Sequence, residues 1–148
     1  MKDQKIINGL NDLLKKNYDA EKGYNMVAEK TEDPVLAAFM RGKASNRYTY
    51  GHQIKDIIRE MEGEIDKGTS TMGDLHRAWI DVKTALSSDK NESLLEEVER
   101  GEEQSLEEYN TFLSQDELPQ SIRRIVTYQR NNIAHALGKV DEYEAKFA

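Results

Sequence analysis

The stretch LNDLLKKNYDAEKGYNMVA, residues 10–28, decides the fold. Read at helical spacing, Leu10, Leu14, Asn17, Glu21, Tyr24 and Ala28 advance by alternating steps of four and three, so they share one face of a helix. Glu21 therefore stands where a buried apolar residue is expected. The pattern recurs in the second half of the chain, where Leu95, Val98, Glu102, Ser105, Tyr109 and Phe112 place Glu102 inward in the same way. About one helix after each glutamate comes a glutamine in a comparable row. The first row is Phe39, Gly42, Asn46, Thr49, Gln53 and Ile57, and the second is Ile122, Val126, Gln129, Ile133, Ala136 and Val140. The sequence thus predicts a buried polar layer made of Glu21, Gln53, Glu102 and Gln129.

Working outward, Ile6, Ile7, Leu13 and Val27 broaden the apolar face of the first helix, which is predicted to end near Thr31. Asp33 before Pro34 is a start signal, an N-cap followed by proline at the first helical position. The second helix carries Leu36, Phe39, Ile54, Ile57 and Met61 and ends around Gly63, and residues 64–70 read as a loop. Thr71 with Asp74 caps a shorter predicted helix bearing Leu75, Trp79, Val82 and Leu86, which acts as a crossover. Ser87-Ser88-Asp89 breaks the pattern, and Asp89 with Glu92 is spaced as a capping box for a third long helix with Leu95, Val98, Leu106, Tyr109, Phe112 and Leu113. A second break, Ser114 to Leu118, leads to Pro119 and a last helix that runs from Ile122 through Ile125 and Val140 to Phe147.

Short breaks force antiparallel hairpins, whereas the longer crossover lets the second and third long helices run parallel. That connectivity is all-α and ferritin-like, a four-helix bundle with a short crossover helix, in one domain over residues 1–148. It also implies a pseudo-twofold repeat of hairpins.

Composition narrows function. The chain has 148 residues, 37% hydrophobic and 33% charged, which suits one soluble amphipathic domain with a real core. Its 21 Lys and Arg against 28 Asp and Glu give a net charge of -7, and the basic residues do not cluster, so a nucleic-acid partner or anionic membrane surface is not expected. With no cysteine, disulfides, thiolate catalysis and cysteine-ligated zinc are excluded. No apolar run reaches the roughly 18 residues of a membrane span. The opening MKDQKIINGL lacks the apolar core of a signal peptide, which makes a cytoplasmic location the expectation.

Carboxylate-bridged dinuclear centres on this architecture need a Glu from each of two helices and Glu-x-x-His from each of the other two. Here the second motif reads Gln53-x-x-Asp56 and Gln129-x-x-Asn132. Two amides stand for carboxylates, neither imidazole is present, and two carboxylates undercompensate two divalent ions. The expectation is a metal-free layer in which Gln53 and Gln129 donate to Glu21 and Glu102, helped by the Tyr24 and Tyr109 hydroxyls. One weakly held ion on Glu21, Glu102 and Asp56 is the alternative. His52 and His135 turn away from the core positions beside them, and His76 lies next to the Trp79 stripe. The tyrosines Tyr18, Tyr24, Tyr48 and Tyr50 read as residues at the edge of the core. No strand-turn-helix serine or glycine-rich phosphate loop appears.

The segments Leu10-Asn11-Asp12-Leu13, Asp19-Ala20-Glu21-Lys22-Gly23-Tyr24, Leu75-His76-Arg77-Ala78-Trp79-Ile80-Asp81-Val82-Lys83 and Glu99-Arg100-Gly101-Glu102-Glu103 resemble an uncharacterised bacterial family of ferritin-like four-helix-bundle proteins, a domain of unknown function. The resemblance covers nearly the whole chain and implies the ferritin-like fold without an activity. Where that family has Glu in the second helix, this chain has Gln53. Stress protection in distant ferritin-like relatives is an analogy of fold alone.

Three functional expectations follow. The first is a non-enzymatic, stress-associated or scaffold-like bundle without a cofactor, open to a homodimer through an exposed helix face. The second is a bundle binding iron or manganese with a reduced carboxylate set. In the third, the polar layer and Tyr24 line a cavity for a small ligand.

Overall fold

Four long α-helices and no strand make up the described part of the chain, residues 3–66 and 91–147 of a computed structural model. They are α1 (Gln4–Lys30), α2 (Pro34–Glu60), α3 (Asn91–Leu113) and α4 (Gln120–Phe147). The chain divides into two compact units, Met1–Leu75 and His76–Ala148, and each is built on one antiparallel helical hairpin. The predicted crossover helix with Leu75, Trp79, Val82 and Leu86, its caps Thr71 and Asp74, Asp89, and His76 lie outside the described residues.

In the first unit, Asp3 caps α1 by accepting the backbone N–H groups of Lys5 and Ile6. The helix stops at Thr31, whose N–H still reaches the Val27 carbonyl at 2.9 Å. Asp33 then caps α2, its Oδ1 accepting from Val35 N at 2.9 Å and Leu36 N at 3.2 Å, with Pro34 in the first turn. So tight a link folds the helices back on one another. Ile6, Ile7, Leu10, Leu13, Leu14, Val27 and Ala28 of α1 and Leu36, Met40, Ile54, Ile57 and Ile58 of α2 are buried. At Gly51 a Cβ would stand 2.7 Å from Cε1 of Tyr18. Glycine at that position lets the tyrosine ring lie against the backbone of α2.

The end of α2 is a Schellman motif. Gly63 N–H donates to the Ile58 carbonyl at 2.9 Å and Glu62 N–H to the Arg59 carbonyl at 3.0 Å. Glu62 takes the left-handed conformation (φ 61°) that such a motif normally gives to glycine. The glycine comes one residue later because a Cβ on Gly63 would meet two carbons of Ile7 at 2.9 Å and one of Ile58 at 3.1 Å. Just beyond, the Asn11 side chain donates to the Glu64 carbonyl at 2.9 Å and accepts from Asp66 N–H at 3.0 Å. One amide of α1 therefore holds two successive turns of irregular backbone.

In the second unit, α3 buries Leu94, Leu95, Val98, Tyr109 and Phe112, and α4 buries Ile122, Val126, Ile133 and Val140. Leu118 in the connection is also buried. The connection is closed by Arg123 of α4, whose guanidinium donates to the carbonyls of Leu113 at 2.9 Å and Gln115 at 2.6 Å. A cation supplied by the partner helix thus satisfies carbonyls that the end of α3 leaves unbonded. Further along, Arg130 Nε donates to Asn110 Oδ1 at 2.9 Å and ties the two helices together at their exposed edge.

The face of α2 differs from the expected row. Gly42, Asn46 and Thr49 are exposed, Phe39 and Gln53 are half-buried, and the buried line is Leu36, Met40, Lys43, Arg47, Tyr50, Ile54 and Ile58. This line also advances by threes and fours, so both rows satisfy the helical rule. Two cationic residues on it disguise it as the solvent face.

Candidate functional site

The four residues of the predicted polar layer are not equally buried. Glu102 and Gln129 are 1% and 0% exposed, whereas Glu21 and Gln53 are half-buried. In the second unit, the Tyr109 hydroxyl, expected to assist the Glu102 carboxylate, bonds the amide of Gln129. Tyr109 Oη donates to Gln129 Oε1 at 2.7 Å, and both residues are buried. The bond joins α3 to α4 within the apolar interior, where a hydroxyl or amide left unbonded would cost about 1–3 kcal/mol. Glu102 lies on the same buried face of α3, two turns before Tyr109.

The first unit has a polar interior in which the sequence pattern marked Asn17 but not its cationic neighbours. Asn17 is fully buried; its Nδ2 donates to the Leu13 carbonyl at 2.8 Å, which turns its Oδ1 toward α2. Arg47 Nη1 donates to that oxygen at 3.0 Å, with the arginine only 3% exposed. One turn earlier, Lys43 is 5% exposed, and its Nζ lies 4.9 Å from the centre of the Tyr24 ring and 5.5 Å from that of Phe39. Rings at these distances attract a cation through their quadrupoles, which helps offset its lost hydration. Lys43 and Arg47 were missed because lysine and arginine are almost never fully buried without partners. The signal that could have found them is their spacing, since Met40, Lys43, Arg47 and Tyr50 continue the apolar line without a break.

The remaining candidates lie at the surface. Asp56 is exposed and pairs with Arg59 one turn on, at 3.2 Å. His52 and His135 are exposed, and His52 sets its ring edge-on to Tyr48 with centroids 4.4 Å apart. Of the tyrosines, Tyr24 and Tyr50 are buried, Tyr18 is half-buried and Tyr48 is exposed. Lys55 Nζ lies 5.0 Å from the centre of the Tyr18 ring.

These groups can be tested against the dinuclear metal centre that a ferritin-like bundle implies. Such a centre needs an anionic donor set to balance its charge, with imidazoles to complete it. Within the first hairpin, the buried polar and charged residues among those described are two cations, Lys43 and Arg47, and two amides, Asn11 and Asn17. Within the second, they are one carboxylate and an amide that a tyrosine hydroxyl already engages. Neither unit by itself supplies a donor set that fits. The interior contacts are the Arg47–Asn17 and Tyr109–Gln129 hydrogen bonds and, in the first hairpin, Lys43 over two rings.

Among the described residues, no helix is long and apolar enough to cross a membrane. A search of curated proteins gave no match. A family model described as a domain of unknown function, DUF2383, matches residues 5–115. The matched stretch takes in α1 from its first turn, α2 and the whole of α3, and stops before α4 begins at Gln120. With residues 5–115 of 148 accounted for, the chain belongs to the DUF2383 family.

Proposed function

We propose that this chain is a non-enzymatic helical protein, a scaffold or stress-associated bundle whose polar interior serves structure without a metal. The observation that carries the reading is the chemical identity of the buried polar groups. Arg47 holds Asn17 and Tyr109 holds Gln129, so interior amides have protein partners, and the buried charges of the first hairpin are cations. Cations at these positions oppose a divalent ion, and amides are weak substitutes for carboxylates. On this reading the two hairpins are the halves of one ferritin-like four-helix bundle, joined through the crossover expected around Trp79. The protein is cytoplasmic, and an exposed helix face offers a route to a homodimer.

Metal analysis of tag-free protein, followed by anaerobic titration with iron(II), manganese(II) and zinc(II), tests the proposal. The expected result is no stoichiometric binding at micromolar metal. Binding in stoichiometric amount that disappears in a Glu21→Ala, Glu102→Ala variant would overturn it, and would make the protein a metal carrier with a reduced ligand set.

A further inference from the structure

The open end of the second hairpin gathers acids from both helices. Glu99 of α3 and Asp141 and Glu144 of α4 each bring a carboxylate oxygen within 4.8 Å of the others. The cluster lies at the opposite end of the hairpin from the connection that Arg123 fastens. Oε1 of Glu144 is shut off from solvent and has no hydrogen-bond partner. Glu99 and Glu144 are half-buried, and Asp141 is exposed. Glu99 opens one of the segments that carry the family resemblance, whereas the two acids on α4 were not marked by the sequence and fall outside the matched family region.

Carboxylate oxygens this close repel one another when ionised, and a carboxyl beside another acid relieves this by holding a proton in a hydrogen bond between them. The groups acting on Glu99 among the described residues are all acids: Glu144 and Asp141 across the hairpin, and Glu103 one turn along α3. Of the basic residues nearby in sequence, Arg100 pairs with Glu97 and Lys139 with Glu142, each along its own helix, and Lys146 is exposed. Hydrogen bonding to Glu144 pushes the Glu99 carboxyl above its ordinary value of 4.5, with burial and the charges of Glu144 and Asp141 acting in the same direction. A hydrogen bond with Glu103 acts the other way but does not reverse the shift.

We propose that this end of the hairpin is an acid-fastened clasp: a proton shared between Glu99 and Glu144 holds the last turns of α4 on α3, and its loss loosens them. The sign follows from linkage. A carboxyl that binds its proton more tightly in the folded state adds stability that is complete below the unfolded value and disappears as pH rises through the raised one. The clasp is therefore closed in acid and loosened toward neutrality, the reverse of an ordinary ion-paired carboxylate. The rest of α4 stays in place, because Ile122, Val126 and Ile133 are buried and Arg123 anchors its first turn.

Amide hydrogen exchange of the full chain, corrected for the intrinsic pH dependence of exchange, reads the device directly. Protection of residues 139–146 should fall about fivefold as pH rises from about 4 to about 7.5, while residues 122–133 stay constant. Glu99→Gln, which keeps a hydrogen-bond donor and removes the titration, should hold 139–146 at the acid level throughout. Glu142→Gln changes an exposed acid outside the cluster and should keep the wild-type slope. A flat wild-type profile, or a slope that survives Glu99→Gln, would overturn the proposal. So would protection at about pH 7.5 that returns on adding manganese(II) or calcium alone, since a bound cation and not a proton would then be the fastener.

Discussion

The two hairpins solve one packing problem with polar groups of opposite character. In α1–α2, cations lie in the interior: Arg47 on Asn17, and Lys43 over the rings of Tyr24 and Phe39. In α3–α4, the inner polar groups are a carboxylate, an amide and a phenol, and acids gather at the open end. The sequence suggested a repeat of one hairpin by the other, and helix lengths and antiparallel pairing do repeat. The polar fastenings do not. Apolar spacing alone makes a helical pair, whereas each buried polar contact is specific to its own pair of helices and sets which residues face each other.

The sharpest way to break the comparison is to remove a buried charge from the first hairpin. Arg47→Ala should destabilise the protein by about 3 kcal/mol, because it leaves the Asn17 oxygen without this donor and removes the packed stem of the arginine. Urea unfolding measures this, and a loss below about 1 kcal/mol would mean that the cation is not fastening the pair.

A smaller effect is expected where the fastening is neutral. Tyr109→Phe should cost about 1.5 kcal/mol, and adding Gln129→Leu should cost less than the sum of the single changes, because replacing both partners strands neither end of this bond. Additive costs would show that the hydroxyl and amide act independently.

Smallest, and opposite in sign, is the effect expected where the two hairpins are alike. Gly42 in α2 and Gly101 in α3 are exposed, and a Cβ at either would meet nothing within 4 Å. Alanine at each should therefore raise stability by about 0.5–1 kcal/mol, readable as a higher melting temperature. Gly51→Ala should do the opposite, since its Cβ would run into the Tyr18 ring.

Much of the helical framework was legible because local chemistry marks it. Asp33-Pro34 opens α2 as read, Thr31 closes α1, and Leu10, Leu14, Val98, Val126 and Ile133 are buried where their spacing put them. The rotation of α2 was not legible. Two rows along it carry the same period, and the one that bears Lys43 and Arg47 is the buried one. Tertiary packing selects it by providing two rings and an amide oxygen as partners. Tyr109 and Gln129 sat on inward rows, but the bond between them was not foreseen, since the hydroxyl was expected to serve the Glu102 carboxylate. The acid cluster left no trace in the pattern. Glu99 is more than forty residues from Asp141, and only the fold brings such positions together.

The Asn11 amide has one more consequence. Because it grips the chain at both Glu64 and Asp66, residues 63–66 behave mechanically as part of the first hairpin although they are not helical. It works as a strain relief on a cable, so that a pull on the chain from beyond Asp66 is borne by α1 before it reaches the last turn of α2. An epitope tag or fluorophore inserted between Gly63 and Asp66 would cut that relief, which makes the natural place for a handle the far side of Asp66.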